Sequence, residues 1–187
     1  MLDRRAVVAS LLADRGDLAV VTGLGGTAWD VAAAGDDALD FPSWGAMGGA
    51  AMIGLGLAIA QPARPVLVVT GDGEQLMALG AFATIAVQRP ANLSVVVIDN
   101  ERYGETGSQV THTGRGVDLA AVAAACGITD TRVIVEDAGI APLRTAIHAL
   151  TGPFVAIVKV APDQAPMVLP PRDGALLTQR MRAALGV

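Results

Sequence analysis

The chain has 187 residues, of which 52% are hydrophobic and 17% charged, and its formal net charge is −5. This length fits one domain with a sizeable core, and the absence of a basic stripe argues against nucleic acid as a partner. The single cysteine, Cys126, excludes an intrachain disulfide and the usual multi-cysteine zinc sites.

Apolar runs and the residues that interrupt them predict the secondary structure in chain order. The first half is predicted to contain a helix over 4–15, a strand over 18–23, a Gly-rich turn over 23–27 with a helix after it, a short strand over 38–43, a helix over 47–61 and a strand and turn over 65–73. The second half is predicted to contain a helix over 74–88, a strand over 93–100, a long polar loop over 101–116, a helix over 118–127, a strand over 131–136, a helix over 139–152, a strand over 153–160, a Pro-rich linker over 161–171 and a last helix over 175–185.

The predicted strands are continuously apolar and alternate with helices, which is typical of strands that are buried on both faces. We therefore expect an α/β fold, with three αβα layers and a mainly parallel sheet. We expect residues 1–165 to form one ligand-binding domain and residues 166–187 to form a Pro-rich linker and a C-terminal helix. Ligands of such sheets bind beyond the carboxyl ends of the strands, which selects the segments "GLGGT", "TGDGEQ" and "DNERYGETG".

An acid and an amide follow two successive predicted strands. Asp72 lies between Gly71 and Gly73, and Asn100 ends the next strand. Magnesium prefers oxygen ligands and is often held by one or two carboxylates together with phosphate oxygens. If the two strands are neighbours, Asp72 and Asn100 can reach one ion, and the helix that starts behind Gly73 favours a phosphate. The alternative is that each motif is only a turn with a helix cap.

Taken together, the two motifs resemble those of the thiamine-diphosphate-dependent enzymes. The stretch "GDGEQLMALGAFATIAVQRPANLSVVVIDN" has the spacing of the family's cofactor motif, although the family's usual Asn-Asn is here Asp99-Asn100. The resemblance implies that Mg²⁺ is bound by Asp72, Asn100 and the backbone oxygen of Arg102. It also implies that Gly71 lets the backbone approach the anion.

Further segments match the same family. In "SWGAMGG", the resemblance implies that Met47 is the apolar wedge that bends the cofactor and that Gly45 offers its carbonyl to the aminopyrimidine ring. Gly73 and Glu74 are implied to offer backbone N–H groups to the diphosphate. In "GLGGT", the implied diphosphate contacts are Gly25 and Thr27. The alternatives are that Met47 is simple core and that "GLGGT" belongs to a dinucleotide site.

The polar loop "ERYGETGSQVTHT" is expected to approach the cofactor and the substrate, because loops of this length usually carry function. Tyr103 and Gly104 are interpreted as cofactor contacts, and Glu105 as a catalytic residue. His112 is interpreted as a catalytic proton shuttle, the alternative being an exposed loop histidine. Further candidate contacts are Thr106 and Gln109, with Arg102 and Arg115 as candidates for an anionic substrate group.

The resemblance covers about residues 1–165, which correspond to only one half of a typical enzyme, the diphosphate-binding (PP) domain. Within the family the chain resembles the β subunit of sulfopyruvate decarboxylase and the corresponding half of phosphonopyruvate decarboxylase, whose sequences carry motifs like its "IGLGLAIA" and "YGETGSQVTHT". This implies a decarboxylase (lyase) subunit for an anionic 2-oxo acid. A separate α subunit with the pyrimidine-binding (PYR) domain would supply the activating glutamate, in a heteromer with active sites at the interface.

Several alternatives remain open from the sequence. One is a carboligase subunit resembling acetolactate synthase, a second is an oxidoreductase subunit, and a third is a non-catalytic PP-domain scaffold. We also expect a cytoplasmic protein without membrane contact, because the N-terminus lacks a long apolar signal region and the apolar stretch 45–60 is short and Gly-rich. The mean hydropathy of +0.51 is high enough to indicate apolar surface that another subunit covers.

Overall fold

The computed structural model describes residues 1–163 and 165–187; Gln164, which falls in the predicted domain 1–165 and in the predicted linker, lies outside the described residues. The α-helices are Arg4–Leu12 (α1), Gly26–Ala34 (α2), Gly49–Ala60 (α3), Asp72–Met77 (α4), Leu79–Gln88 (α5), Leu119–Ala125 (α6), Ile140–His148 (α7) and Gly174–Leu185 (α8). The strands are Ala19–Thr22 (β1), Asp40–Pro42 (β2), Val66–Gly71 (β3), Leu93–Asp99 (β4), Arg102–Tyr103 (β5), Gln109–Val110 (β6), Asp130–Ile134 (β7) and Phe154–Lys159 (β8).

The described strands form one parallel sheet in the order β2-β1-β3-β4-β8-β7, together with a separate antiparallel hairpin of β5 and β6. Strands β3 and β4 are buried over almost their whole length, which is why their sequences are continuously apolar. One core lies between the sheet and α1, α2 and α7, and the other lies between the sheet and α3, α5, α6 and α8. The expected three-layer αβα fold with a mainly parallel sheet is confirmed.

The strand order reverses direction between β1 and β3. Strand β1 is followed by α2 on one face of the sheet, whereas β3 is followed by α5 on the other face. The segments that leave these two neighbouring strands therefore diverge. Such a reversal opens a crevice beyond the carboxyl ends of the strands, where ligands of open α/β sheets bind.

The structure differs from the predicted elements in two places near this crevice. The single helix predicted over 74–88 is broken at Ala78, whose φ of −128° ends α4 before α5 begins. The break lies against Gly48, where an added methyl group would overlap the Ala78 side chain. The segment predicted as an entirely irregular loop over 101–116 instead contains the β5–β6 hairpin and a short 3₁₀ turn.

Helix α3 lies close to the sheet on one side and exposes apolar residues on the other. A methyl group at Gly54 would overlap the Val68 side chain, so the glycine permits the close approach of α3 to β3. Met52, Ile53 and Ile59 on the same helix are 42%, 39% and 54% exposed. Within the described ranges, no helix combines the length and apolar character needed to cross a bilayer.

The segment before α8 packs against the loop that precedes α3. Trp44 Nε1 donates a hydrogen bond to the Pro171 carbonyl at 2.8 Å, and the Arg172 guanidinium stacks 4.8 Å from the Trp44 ring centroid. Arg5 Nη2 donates to the Pro166 carbonyl at 2.7 Å. The predicted Pro-rich linker thus contacts the rest of the domain at Pro166 and at Pro171.

Candidate functional site

A cavity of about 230 Å³ opens at the carboxyl ends of β1, β3 and β4. Its walls come from the turn after β1, the turn after β3, the end of β4 and the hairpin beyond it, and from α1 and the loop before α3. The residues lining it are Arg4, Leu24, Gly26, Thr27, Trp29, Met47, Gly71, Asp72, Gly73, Glu74, Ile98, Asn100, Arg102, Tyr103, Gly104, Glu105 and Thr106. The two predicted Mg²⁺ side chains, Asp72 and Asn100, therefore line the same cavity.

The Asp72 carboxylate is 2% exposed and belongs to a buried network of oxygens. Its Oδ2 accepts a hydrogen bond from Thr111 Oγ1 at 2.6 Å and lies 3.1 Å from Thr113 Oγ1. Thr113 Oγ1 also lies 2.9 Å from Asp99 Oδ1 and 2.9 Å from Thr111 Oγ1. The Asp99 carboxylate is in turn paired with Lys159 Nζ, at 2.9 Å from Oδ2.

This network is short of positive charge. Each threonine hydroxyl can donate one proton. The hydroxyls of Thr111 and Thr113 therefore provide two donors for the four close oxygen–oxygen contacts that they make with each other and with the two carboxylates. Burial raises the pKa of Asp72; the hydrogen bond from Thr111 opposes this, and the neighbouring Asp99 carboxylate adds to it. A divalent cation at Asp72 would supply the missing charge, so the residues present fit a magnesium ion.

The other predicted metal ligands lie just beyond β4. Asn100 Oδ1 accepts the Arg102 backbone N–H at 3.0 Å, which folds the chain into a tight turn and leaves the oxygen a second lone pair. The carbonyls of Glu101 and Tyr103 accept hydrogen bonds from Thr111 and Ser108 across the hairpin. Because successive carbonyls of a strand alternate in direction, the Arg102 carbonyl points away from the hairpin partner.

No three His, Cys, Asp or Glu side chains converge on a possible metal position within residues 1–163 and 165–187. A magnesium site at this cavity would therefore use one carboxylate together with an amide oxygen and a backbone oxygen. That composition is compatible with Mg²⁺, which takes few protein ligands and completes its shell with phosphate oxygens and water.

The Gly-rich turn after β1 is surrounded by charged side chains. An added methyl group would overlap the Glu74 carboxylate at Gly23, the Glu105 carboxylate at Gly25 and the Arg4 guanidinium at Gly26. Gly25 also has a φ of +70°, a conformation that glycine adopts without strain. These glycines allow three ionic groups to approach the backbone of one turn.

Glu74 connects the turn after β3 to the loop that carries Met47. The carboxylate is 4% exposed, and its Oε1 accepts the Gly48 backbone N–H at 3.2 Å. Burial raises the pKa of Glu74, and the Gly48 N–H opposes this rise. Glu74 therefore holds the backbone next to Met47, whose side chain is 39% exposed and lines the cavity.

A second buried ionic cluster borders the cavity from α1 and α2. The carboxylate of Asp30, which is fully buried, is paired with Arg4 and with Arg5, whose Nε lies 3.2 Å from Oδ1. Burial raises the pKa of Asp30, and the charges and hydrogen bonds of the two arginines oppose this rise. Of these three residues, Arg4 lines the cavity.

The structure gathers most of the predicted site residues at this cavity but not all of them. Gly25 lies in the turn under Glu105 without lining the cavity, and the Gly45 carbonyl accepts a hydrogen bond from Ser43 Oγ at 2.8 Å. His112 is exposed and lies outside the cavity lining. The predicted residues that do line the cavity are Thr27, Met47, Gly71, Asp72, Gly73, Glu74, Asn100, Arg102, Tyr103, Gly104, Glu105 and Thr106; Gln109 and Arg115 do not line it.

Other residues of the site were not singled out from the sequence. They are Arg4, Asp30, Thr111, Thr113 and Lys159. The signal for the threonines is the alternation in "THT", where Thr111 and Thr113 are buried and the histidine between them is exposed. The signal for Asp30 is a lone acid in the otherwise apolar helical stretch "TAWDVAAA".

The chain matches a known protein family and several of its relatives. The family model described as "Thiamine pyrophosphate enzyme, C-terminal TPP binding domain" matches residues 26–158. A sulfopyruvate decarboxylase subunit beta from Methanothermobacter thermautotrophicus is 35% identical over 180 residues, which cover 96% of this chain and 94% of that protein.

A phosphonopyruvate decarboxylase from Streptomyces hygroscopicus is 48% identical over 109 residues, which cover 58% of this chain. The match spans only 27% of the length of that relative. Among solved structures, the thiamine diphosphate-dependent 4-hydroxybenzoylformate decarboxylase of Rhodococcus jostii RHA1 matches with a TM-score of 0.69 and 19% identity, covering 88% of this chain and 33% of that one. This last likeness bears on the fold alone.

Proposed function

Since the chain belongs to the family of thiamine pyrophosphate enzymes that share the C-terminal TPP-binding domain, we propose that it is the diphosphate-binding subunit of a thiamine-diphosphate-dependent decarboxylase. Its substrate is an anionic 2-oxo acid of the sulfopyruvate or phosphonopyruvate type. The relatives bearing those names support this substrate class.

One observation carries the proposal most directly. The ends of β3 and β4 are adjacent in the sheet, with Gly71 paired to Ile98, and they bring Asp72 and Asn100 to one cavity. The same cavity is bordered by the buried oxygen network around Asp72, which lacks positive charge, and by the backbone of two Gly-rich turns. A cation with an attached diphosphate matches all of these features.

Asp72, Asn100 and the carbonyl of Arg102 would hold the magnesium ion, and the backbone N–H groups of Gly73 and Glu74 would face the diphosphate. Bound thiamine diphosphate supplies an electron sink for the carbanion that loss of carbon dioxide leaves. Tyr103 packs against Gly73, where a methyl group would overlap its ring, and so closes the floor of the site. Met47 presents an adaptable apolar side chain at the mouth of the cavity.

Two residues are proposed to act on the substrate or on its protons. Glu105 lines the cavity and faces Gly25, so it is placed to contact a bound molecule directly. His112 is exposed in the single chain, and a role for it requires that the partner or the substrate approach from that side. Both assignments stay predictions.

The active enzyme is proposed to be a heteromer. The chain holds a diphosphate-binding domain, and the partner would supply a PYR domain with the glutamate that activates the cofactor. The exposed Met52, Ile53 and Ile59 on α3, the helix that follows the loop carrying Met47, support an apolar face that a partner covers. Active sites would then lie at the interface between the two subunits.

The test is reconstitution with a co-expressed PYR-domain chain. Carbon dioxide release and product identity are measured with sulfopyruvate, phosphonopyruvate, pyruvate and 2-oxoglutarate, each with and without thiamine diphosphate and Mg²⁺. We expect cofactor-dependent decarboxylation that prefers the substrates with a sulfonate or phosphonate group.

Each other outcome points to a different function. An acetolactate-type product from pyruvate would replace the decarboxylase proposal with a carboligase. Failure of the reconstituted complex to bind thiamine diphosphate with Mg²⁺ in a calorimetric titration would leave a scaffold role. Asp72→Asn serves as the matched control, because it changes one predicted ligand while keeping the shape of the side chain.

A further inference from the structure

We propose that Arg4 binds the terminal phosphate of the cofactor's diphosphate, an anion contact supplied by α1 and additional to the magnesium site. This inference rests on the proposed function, because it assigns a residue to the cofactor that function requires. Arg4 is 68 residues from Asp72 in the chain, and its assignment comes from the packing of α1 against α2.

The charge of the second cluster is unbalanced. Asp30 contributes one negative charge, whereas Arg4 and Arg5 contribute two positive ones, and all three side chains are largely removed from water. Buried charges are costly unless they are compensated. These three residues together therefore carry one net positive charge; Arg4 is the member that lines the cavity, where the Glu105 carboxylate lies at the neighbouring Gly25.

The geometry directs that charge toward the Gly-rich turn. Arg4 uses Nε and Nη2 to pair with the Asp30 carboxylate. Its remaining nitrogen, Nη1, is the atom nearest to the position of an added methyl group at Gly26, at 2.5 Å. Nη1 donates to no acceptor among the residues that the structure describes, so its donors are available to an anion above the turn.

The diphosphate is the anion that best fits this position. The turn that contains Gly26 follows β1, and the turn that contains Asp72 follows β3, the neighbouring strand. A diphosphate carries more negative charge than one Mg²⁺ neutralises, and it is long enough to contact both turns. Arg4 on one side and the metal at Asp72 on the other would then share its charge.

The competing cation at the cavity is Arg102. Its Nη1 donates to the Glu101 carbonyl at 2.9 Å, whereas Arg4 is held in place by a fully buried carboxylate. A guanidinium fixed in this way loses less conformational entropy when it binds an anion. This difference favours Arg4 as the fixed phosphate contact.

The experiment compares Arg4→Met with the wild-type chain by calorimetric titration. The probes are magnesium pyrophosphate with the full chain, and thiamine diphosphate plus Mg²⁺ with the reconstituted complex. We expect Arg4→Met to weaken both about tenfold or more, which is the effect of losing a charge-assisted contact, while leaving the response to Mg²⁺ alone unchanged. Arg64→Met removes the same charge outside the cavity and is expected to bind like the wild type.

Folding is checked by circular dichroism, and Arg4→Met is expected to fold because Asp30 keeps Arg5 as its partner. Arg4→Lys serves as a second variant that keeps the positive charge, and we expect it to retain more affinity than Arg4→Met. Equal affinity of the wild type and both Arg4 variants for pyrophosphate would overturn the inference.

Two further results also have a defined meaning. If coenzyme binding is unchanged but KM rises only for 2-oxo acids with a sulfonate or phosphonate tail, the guanidinium serves the substrate, and the inference is overturned. If the wild type itself binds neither probe, the proposed function fails first and this inference falls with it. The two failures are thereby distinguished by the behaviour of the wild type.

Discussion

The two buried ionic clusters at the cavity have opposite imbalances. Around Asp72, two carboxylates and two hydroxyls share one ion pair, that of Lys159 with Asp99, whereas around Asp30 a single carboxylate is shared by Arg4 and Arg5. A third buried pair, Arg15 with Asp40, lies outside this cavity's lining and is balanced one to one. The two unbalanced clusters border the cavity, whereas the balanced pair does not, so imbalance rather than burial distinguishes the groups at the proposed site.

Among the substitutions that test this comparison, Asp72→Asn is expected to have the largest effect on cofactor binding. The amide keeps the shape of the side chain but removes the charge that attracts the cation, so we expect Mg²⁺-dependent binding of thiamine diphosphate to fall by more than about a hundredfold. Calorimetric titration of the reconstituted complex measures the loss. Undiminished coenzyme binding by Asp72→Asn would contradict the metal site.

The balanced and unbalanced clusters should differ in how they tolerate the loss of an arginine. Arg15→Met leaves Asp40 without its cation and should cost about 3 kcal/mol in the free energy of unfolding. Arg4→Met should cost clearly less, because Arg5 still compensates Asp30. Urea denaturation of both variants without ligands makes the comparison, and equal losses would show that the Asp30 cluster has no surplus charge.

Removing a hydroxyl that connects two carboxylates should give a smaller effect on the metal. Thr113→Val deletes the oxygen that lies between Asp72 and Asp99, and we expect about a tenfold loss of Mg²⁺ affinity, as for other residues that orient a metal ligand. The matched control is Thr145→Val on the exposed side of α7, where the hydroxyl contacts only its own helix. Equal Mg²⁺ affinity in both variants would mean that Asp72 needs no support from the 3₁₀ turn after the hairpin.

The smallest expected effect is a pH dependence at Glu74. Burial raises the pKa of Glu74 in the folded chain above its value in the unfolded chain, which is about 4.3. The contribution of Glu74 to the free energy of unfolding is therefore fully present below the pKa of the unfolded chain. This contribution is lost as the pH rises through the pKa of the folded chain. The Glu74→Gln variant has no ionisable side chain at this position. The stability of the wild type relative to Glu74→Gln should therefore decrease from pH 4 to pH 8, as measured by denaturant unfolding without ligands. A constant difference would contradict the raised pKa.

The parts of the fold that depend on local pattern were predictable. Strands β3 and β4 are continuous apolar runs because both of their faces are covered, and the positions of Asp72 and Asn100 follow from where those runs stop. The break at Ala78 was not predictable, because it depends on the contact with Gly48, thirty residues away in the chain. The hairpin in the polar loop was missed because its strands have only two residues each.

The part of the candidate site that depends on tertiary contacts could not be predicted. Arg4 looks like an ordinary surface charge and Asp30 like an isolated acid in an apolar helix, and only the packing of α1 on α2 brings them together. Glu101, next to Asn100, is half-buried, and its Oε1 lies 2.7 Å from Lys159 Nζ, a contact between residues 58 positions apart. His112 stays a predicted proton shuttle, and the alternation through "THT" leaves its side chain exposed in the single chain.

The contact of Trp44 with Pro171 has a practical consequence for handling the protein. A protease that cuts within 165–173 would leave every strand of the central sheet intact, so spectroscopic signals of secondary structure would change little. It would nevertheless release the indole and the stacked Arg172 from the loop that presents Met47. Tryptophan fluorescence would reveal such nicking in a preparation that otherwise passes as native.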